Sequence, residues 1–278
     1  SKYELEFISL QNLKNMFMKQ MKFFLVALMA VVMGMSVTSC MKGDDNTIYT
    51  GVAVAECVNS YPPTFTLGSQ KLVINDATLL DLVLGKTYMF YYQFDTAEQS
   101  PDAPSITVTL YGGSTPTNID AEYREGPEVA SENNKANTAL YSLGTSFFPS
   151  SALLSNNKLF VPFGYWVKIE EDATKQKEEL NKHSFVLTYD FSNVVSGAKE
   201  LVLTLNHIVN DAEGEEITRN KWTEGYKVYD LTQAIVAFEE KSHAKPVTIV
   251  IKVKVNPTID GSLTGATDDK DDVKHTVE

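Results

Sequence analysis

Apolar and polar residues alternate along most of the chain, a pattern typical of half-buried β-strands. In residues 86–94, KTYMFYYQF, one face carries Tyr88, Phe90, Tyr92 and Phe94. In residues 247–255, VTIVIKVKV, one face carries Val247, Ile249, Ile251, Val253 and Val255, while Lys252 and Lys254 lie on the other. The same pattern predicts strands over residues 47–58, 70–74, 105–111, 159–169, 184–191, 199–208 and 226–231. The sequence therefore predicts an all-β protein.

Two segments depart from this pattern. Residues 170–180, EEDATKQKEEL, are almost wholly polar, which predicts an exposed insertion. Residues 232–240, TQAIVAFEE, predict one or two helical turns with Asp230 or Thr232 as the N-cap. Cys57 lies in an apolar strand, GVAVAECV, so a buried structural thiol is expected rather than a nucleophile.

A polar stretch divides the strands into two groups. We take residues 47–125 as a first unit and residues 126–144 as a linker, since the latter are rich in polar and turn-forming residues. Residues 145–258 then form a second unit. Residues 259–278 contain too few apolar residues to pack, which predicts a disordered acidic tail. Units of these sizes fit a small β-barrel followed by a β-sandwich.

The N-terminal region predicts a secretory signal. Lys19 and Lys22 precede an uncharged run, FFLVALMAVVMGMSV, which is short for a membrane-spanning helix. The small residues VTS then lead to Cys40. This arrangement resembles the bacterial lipoprotein signal, in which the cysteine is lipidated and becomes the first mature residue. Residues 1–39 would then be removed, and residues 40–46 would form a lipidated tether. The alternative is an uncleaved anchor in which the cysteine is incidental.

The residues after Cys40 carry a second candidate signal. Lys42 is followed closely by Asp44 and Asp45, which resembles the surface-export signal of Bacteroidetes lipoproteins. The alternative is a solvated tether, because polar termini are commonly disordered. We therefore expect an outer-membrane lipoprotein that is exposed at the cell surface, or otherwise faces the periplasm.

Charge excludes one class of partner. Residues 1–39 contain four lysines and two acids, so the chain from Cys40 onward has 20 basic and 34 acidic side chains and a net charge of −14. Such a chain repels phosphate backbones, so nucleic acid is not an expected partner. It would also be repelled by an anionic membrane surface, which fits attachment through a lipid.

No pattern of catalytic residues stands out. Each histidine lacks another His or Cys three or four residues away, so zinc-type spacing is missing from the sequence, and His207 is expected to be a hydrogen-bonded histidine at a strand edge. The sequence has no G-x-S-x-G, no phosphate-binding glycine loop and no calcium-binding loop. We predict a protein that is not an enzyme and has no cofactor and no bound metal.

One aromatic residue is a candidate for ligand binding. Trp222 lies in RNKWTEGY, which predicts a loop, and the polar residues around it could supply hydrogen bonds: Arg219, Asn220, Lys221, Glu224 and Tyr226. An exposed indole flanked by polar groups could stack on a sugar. The alternative is that Trp222 folds onto the edge of the sandwich, because large aromatics contribute strongly to cores. Trp166 lies in an apolar strand and is expected in the core.

Several of these segments together resemble one family. The lipidation signal with its acidic tether, LLSNNKLFVPFGYW (residues 153–166), KVYDLTQA (residues 227–234) and VTIVIKVKV resemble the NigD-like lipoproteins of Bacteroides and relatives. The resemblance implies an OB-like barrel followed by an immunoglobulin-like β-sandwich. It also implies a non-enzymatic envelope protein that binds or shields at the cell surface, with a link to bacteriocin immunity. Two alternatives are a glycan-binding accessory lipoprotein and a surface adhesion or assembly component whose sheet edges pair with partners.

Overall fold

The computed structural model describes residues 47–75, 80–121, 126–155, 157–258 and 260–275. The fold is all-β, as the alternating pattern predicts. The chain divides into two compact units, the first ending at Asn118 and the second beginning at Ile119.

The first unit is a closed barrel. Its strands are β1 (Ile48–Ser60), β2 (Pro63–Leu67), β3 (Gln70–Ile74), β4 (Thr87–Asp95), β5 (Ser105–Leu110) and the short β6 (Thr117–Asn118). The order β1-β2-β3-β5-β4 closes because β1 also pairs with β4 along its length, from Ile48 opposite Asp95 to Glu56 opposite Thr87. This is the barrel that the sequence predicts.

Aromatic side chains fill the barrel. Tyr88, Phe90, Tyr92 and Phe94 all point inward and are buried, as their two-residue spacing predicts. Phe65 of β2 packs against Phe90 with 4.6 Å between ring centroids. Cys57 is also buried, which confirms its predicted structural position.

The second unit is a sandwich of two sheets. One sheet holds β8 (Ser142–Leu143), β9 (Ala152–Ser155), β10 (Lys158–Val167) and β13 (Lys221–Asp230), with β10 at its centre. The other has the order β15-β14-β12-β11-β7, formed by β7 (Glu128–Val129), β11 (His183–Tyr189), β12 (Glu200–Val209), β14 (Thr248–Val255) and β15 (Thr267–Lys274). Strands β12 and β14 run parallel, with Glu200 opposite Thr248.

The core of the second unit lies between these sheets. Alternate residues of β10 face inward, from Leu159 to Val167, and meet the leucines of β12 and the aliphatic residues of β14. Gly225 of β13 lies opposite Phe163 of β10, and a Cβ at Gly225 would come within 2.4 Å of the Phe163 ring. A side chain at this position would therefore force Phe163 out of its place.

Two α-helices lie in the described part of the second unit. Helix α1 (Ala173–Asn181) is capped by Asp172, whose side chain accepts hydrogen bonds from the backbone of Thr174 and Lys175. It forms the predicted polar insertion, but Glu179 on its last turn is buried. Helix α2 (Thr232–Ser242) confirms the predicted helical turns and extends them, but its N-cap residue is Leu231 rather than Asp230 or Thr232. The Asp230 carboxylate accepts from the Thr232 amide at 2.9 Å.

The predicted linker over residues 126–144 is wrong. Strand β7 pairs with β11, β8 pairs with β10, and Leu140 is fully buried in the core of the second unit. The first unit also ends at Asn118 rather than at residue 125. The polar composition of this segment predicts a linker, but backbone pairing and a few buried side chains such as Leu140 attach it to the second unit.

The predicted disordered tail is also wrong. Strand β15 pairs antiparallel with β14 over eight residues, from Thr267 opposite Val255 to Lys274 opposite Thr248. The segment TDDKDDVK has one apolar residue, Val273, and that side chain is buried. An edge strand needs only backbone partners on one side, so low apolar content does not prevent it from forming.

Candidate functional site

The predicted lipidation and export residues Cys40, Lys42, Asp44 and Asp45 lie outside the described residues. Among the residues that the structure describes, no helix is both long enough and apolar enough to cross a membrane. Within the described residues, the candidate site is the surface around Trp222.

Trp222 lies in a strand rather than in the predicted loop. It is the second residue of β13 and faces Trp166 of β10 directly across the ladder. Side chains alternate along a strand, so Trp222, Glu224 and Tyr226 share the outer face of this sheet. The indole of Trp222 is 47 % exposed.

An aromatic cluster covers the outer face of β10 and β13. The Trp222 ring stacks on Tyr141 with centroids 4.9 Å apart and planes 6° apart, and Tyr141 meets Trp166 edge-on. Trp166 is buried, as predicted, and its Nε1–H donates to the Asn256 carbonyl at 2.9 Å. One face of the Trp222 indole is thus fixed by Tyr141. The cluster continues through Phe148, Phe160 and Tyr226, whose rings pack against one another.

A glycine allows Tyr141 to reach this position. A Cβ at Gly164 of β10 would lie 2.8 Å from Ser142 Oγ and 3.1 Å from the Tyr141 ring. The Tyr141 amide also donates to the Gly164 carbonyl at 2.8 Å. The segment before β8 therefore lies close against the sheet and presents Tyr141 to Trp222.

Polar groups flank the exposed indole. The Tyr226 hydroxyl donates to Glu224 Oε2, and Glu224 Oε1 accepts from the Ser146 amide at 3.3 Å. Asn220 is exposed one residue before β13 begins. We call Trp222, Glu224 and Tyr226, together with Tyr141 beneath Trp222, the aromatic ledge. It combines a flat apolar ring with a carboxylate and a hydroxyl.

Arg219 does not join the aromatic ledge. It is 8 % exposed and forms ion pairs inside the unit. Its Nε and Nη2 donate to the two Glu179 carboxylate oxygens at 2.7 and 3.2 Å, and its Nη1 and Nη2 donate to Asp211 at 2.8 and 2.6 Å. Lys182 extends the cluster, with Nζ 3.6 Å from Asp211 and 3.0 Å from Glu215. The prediction that Arg219 supplies hydrogen bonds at the surface beside Trp222 is therefore wrong.

A pair of histidines adjoins this ionic cluster. His183 Nδ1 is 2.9 Å from His207 Nε2, and His183 Nε2 is 3.4 Å from Glu179 Oε1. The rings of Tyr165 and Phe185 pack around the pair. The expectation that His207 lies at a strand edge is wrong, because β12 lies between β11 and β14 and the His207 side chain points into the unit.

Burial and charge displace the pKa values in this cluster. Burial lowers the pKa of both histidines, and that of His207 falls to about 3. Glu179 is subject to burial, which opposes ionisation, but hydrogen bonds from Arg219 and Lys168 hold its pKa below the usual value. The Arg219 hydrogen bonds also lower the pKa of Asp211. Both carboxylates are therefore ionised at neutral pH, and both histidines are neutral.

Sequence reasoning missed Glu179 and His183 as members of one cluster. They stand four residues apart, from the last turn of α1 to the start of β11, a spacing that could have drawn attention to them. Their partners Arg219 and His207 are distant in sequence, and only the fold brings them together. No group of three or more His, Cys, Asp or Glu residues within the described ranges is placed to hold a metal ion.

Comparisons with known proteins identify similar folds. The chain is similar to the crystal structure of a "Putative lipoprotein" from Bacteroides fragilis, with a TM-score of 0.70 and 25 % identity over 82 % of this chain and 98 % of that one. A protein of unknown function, DUF1344, from Bacteroides vulgatus aligns with a TM-score of 0.48 and 16 % identity over 83 % of this chain and 92 % of that one. An uncharacterized protein from Parabacteroides merdae aligns with a TM-score of 0.46 and 14 % identity over 83 % and 99 % of the two chains.

No protein-family model matches the chain, and no curated protein matches it significantly. Of the three structures, the one from Bacteroides fragilis carries a lipoprotein description.

Proposed function

We propose that this protein is a lipid-anchored envelope protein that acts by binding or shielding and catalyses no reaction. One observation carries the proposal: the likeness to the Bacteroides fragilis structure spans 98 % of that chain, and its description as a lipoprotein agrees with the VTSC sequence at Cys40. The NigD-like resemblance adds a role in shielding the cell from a bacteriocin.

The tether limits where the protein acts. Strand β1 begins at Ile48, eight residues after Cys40, and an extended chain spans about 3.5 Å per residue. The start of the barrel therefore lies within about 28 Å of the lipid attachment. Replacing Cys40 with serine should release the protein from the membrane fraction, while Cys57→Ser should leave it there because that thiol is buried.

Protease treatment of intact cells tests the predicted export signal. If Lys42, Asp44 and Asp45 direct surface export, the wild-type protein is digested and the Asp44→Ala, Asp45→Ala double variant is protected. A matched control is Glu213→Ala with Glu216→Ala, two exposed acids in the connection between β12 and β13. Protection of the wild type would place the protein on the periplasmic side and overturn surface export.

The shielding role has its own test. A strain that lacks the gene should become sensitive to bacteriocins from neighbouring Bacteroidetes, and the wild-type gene should restore resistance. Unchanged sensitivity across a panel of producer strains would remove immunity and leave the lipid-anchored binding role in place.

The aromatic ledge favours a second candidate function, the capture of a saccharide. An indole held flat by Tyr141 and 47 % exposed offers a surface for the apolar face of a pyranose ring. Glu224 stands two residues away on the same face and can accept hydrogen bonds from sugar hydroxyls. A glycan array that compares the wild type with Trp222→Ala tests this function. Tyr111→Ala, at an exposed aromatic of the barrel, is the matched control.

A further inference from the structure

His183 and His207 form the middle of a buried chain of hydrogen-bonding groups. At one end, His207 Nδ1 is 3.4 Å from the Ala139 carbonyl oxygen. At the other end, His183 Nε2 is 3.4 Å from Glu179 Oε1. The two rings meet in the centre, where Nδ1 of His183 and Nε2 of His207 are 2.9 Å apart. Both ends of the chain are therefore oxygen acceptors.

This arrangement has three hydrogen-bonding contacts, one more than the two neutral imidazole rings have protons to donate. Three contacts require three protons, but each neutral imidazole carries one ring proton. If His183 donates to Glu179, then His207 donates to His183, and the unprotonated His207 Nδ1 faces the Ala139 carbonyl. The reverse arrangement leaves His183 Nε2 without a proton opposite Glu179. The long end contacts and the shorter central contact agree with this deficit.

A single additional proton fills all three contacts. One ring then carries two protons and donates from both nitrogens, while the other ring accepts once and donates once. A second additional proton would place two donors against each other in the centre. The hydrogen-bonding groups therefore accept one proton and exclude two.

The surrounding charges favour the same count. Glu179, Asp211 and Glu215 are acidic, and Lys182 and Arg219 are basic, which leaves one negative charge in the cluster. One proton on the histidine pair neutralises that charge, and a second would leave the cluster positive in a buried place.

Other titratable groups face the pair less directly. The Tyr165 ring packs on both imidazoles, and burial raises its pKa to about 12, so it stays neutral. Lys252, Lys254 and Asp268 share a shallow surface pocket with His207. The side chains of Lys254 and Asp268 are exposed and neutralise each other at 2.8 Å. Thus Glu179 is the acid in direct contact with the pair.

We propose that His183 and His207 form a one-proton switch. On acidification the two imidazoles together gain a single proton, and the hydrogen bond from Arg219 to Glu179 weakens. Glu179 Oε1 also accepts from Arg219 Nε at 2.7 Å and from the Lys168 amide at 3.1 Å. A charged imidazole competes with Arg219 for this oxygen. Because Arg219 lies two residues before β13, the switch acts on the strand that carries Trp222.

Imidazole ¹⁵N NMR on the full mature chain tests the switch directly, through the histidines of its second unit. On acidification, His183 should gain a second ring proton at a pH below the ordinary histidine value, while His207 keeps one. The exposed His243 serves as an internal reference. Full protonation of both rings in the folded protein would overturn the proposal, and so would unfolding before either ring gains a proton.

Amide hydrogen exchange tests the coupling to β13. After correction for intrinsic exchange rates, the amides of residues 219–223 should exchange at least threefold faster below the midpoint of His183 titration than above it. The amides of β4 in the barrel provide the control. Equal protection of residues 219–223 above and below that midpoint would overturn the coupling.

Two variants separate the switch from a general loss of packing. His207→Phe keeps a ring against Phe185 and Tyr165 but leaves His183 Nδ1 without an acceptor, so His183 should no longer gain a proton. His243→Phe, at an exposed histidine after α2, should leave that titration unchanged. Unchanged proton uptake in a folded His207→Phe protein would overturn the proposal. If this variant does not fold, the wild-type titration still decides.

Discussion

Trp222 lies flat on Tyr141, with ring centroids 4.9 Å apart and planes 6° apart. The two residues belong to segments 81 positions apart, and the contact depends on the close approach of Tyr141 over Gly164. A ring that is fixed on one side loses little rotamer freedom when a ligand stacks on the other, which makes Trp222 a pre-organised surface.

Replacing Tyr141 with alanine should therefore weaken saccharide binding even if Tyr141 never touches the sugar. We expect a loss of about tenfold, or about 1.4 kcal/mol, against a larger loss for Trp222→Ala. Isothermal titration with a saccharide found on the array measures both. Phe147→Ala, at another exposed aromatic near the sheet, is the control. Equal affinity in Tyr141→Ala and the wild type would show that the stacking does not prepare the indole.

The ion pairs of Arg219 should stabilise the second unit strongly. Replacing Arg219 with methionine leaves Glu179 and Asp211 without their cationic partner, and Glu179 is buried. Breaking a buried pair in this way costs about 3–5 kcal/mol. Denaturant unfolding measures the change. Lys135→Met removes one partner of an exposed pair with Glu132 and should cost less than about 1 kcal/mol. Similar small losses in both variants would mean that water reaches the Arg219 cluster.

Stability should fall on mild acidification because of His207. Its pKa is about 3 in the folded protein and about 6.5 in the unfolded chain, so the unfolded state binds more protons between these values. The free energy of unfolding should therefore decrease from pH 7.5 to pH 5 by about 2 kcal/mol from this residue. The carboxylates Glu179 and Asp211 have lowered pKa values, and their contribution is lost only at more acidic pH.

Denaturant midpoints at pH 7.5 and pH 5 check this dependence. The His207→Phe protein should lose the share of the difference that comes from His207 and keep the share from His183, whose pKa burial also lowers. The His243→Phe protein should retain the full difference. A wild-type protein that is equally stable at both pH values would contradict the burial of a neutral His207.

Strand β15 should protect the edge of β14. Removing residues 267–278 exposes the backbone of TIVIKVKV, and an unpaired apolar edge strand promotes association. We expect a lower unfolding midpoint and concentration-dependent aggregation, measured by light scattering. Removing only residues 276–278 is the control, since they follow the strand. Equal solubility of the two truncated proteins would show that β15 is dispensable.

The sequence predicts those parts of the fold that depend on side-chain alternation. The aromatic residues of β4 predict a strand with one inward face, and the structure has that strand in the barrel: Tyr88, Phe90, Tyr92 and Phe94. Strand β15 escapes prediction because backbone hydrogen bonds hold it and a single apolar side chain, Val273, is buried. The alternation of apolar and polar residues reveals which side chains are buried. Backbone pairing between strands has no comparable signal in the local sequence.

The candidate site divides in the same way. The sequence singles out Trp222 because an aromatic residue among polar neighbours is visible locally. It assigns Arg219 to the same surface, although Arg219 turns inward to Glu179, 40 residues earlier. The His183–His207 contact likewise requires the pairing of β11 with β12, in which Phe185 lies opposite His207. Contacts of this kind follow from strand register, which short-range pattern does not provide.

The parallel pairing of β12 with β14 has a consequence for the order in which the chain folds. Glu200 and Thr248 are 48 residues apart, and β13 and α2 lie between the two strands. Long-range parallel pairs form slowly because the intervening loop must close first. All pairings of the barrel strands, in contrast, are complete by Asn118. The barrel strands can therefore pair while the last strands of the sandwich are still unpaired.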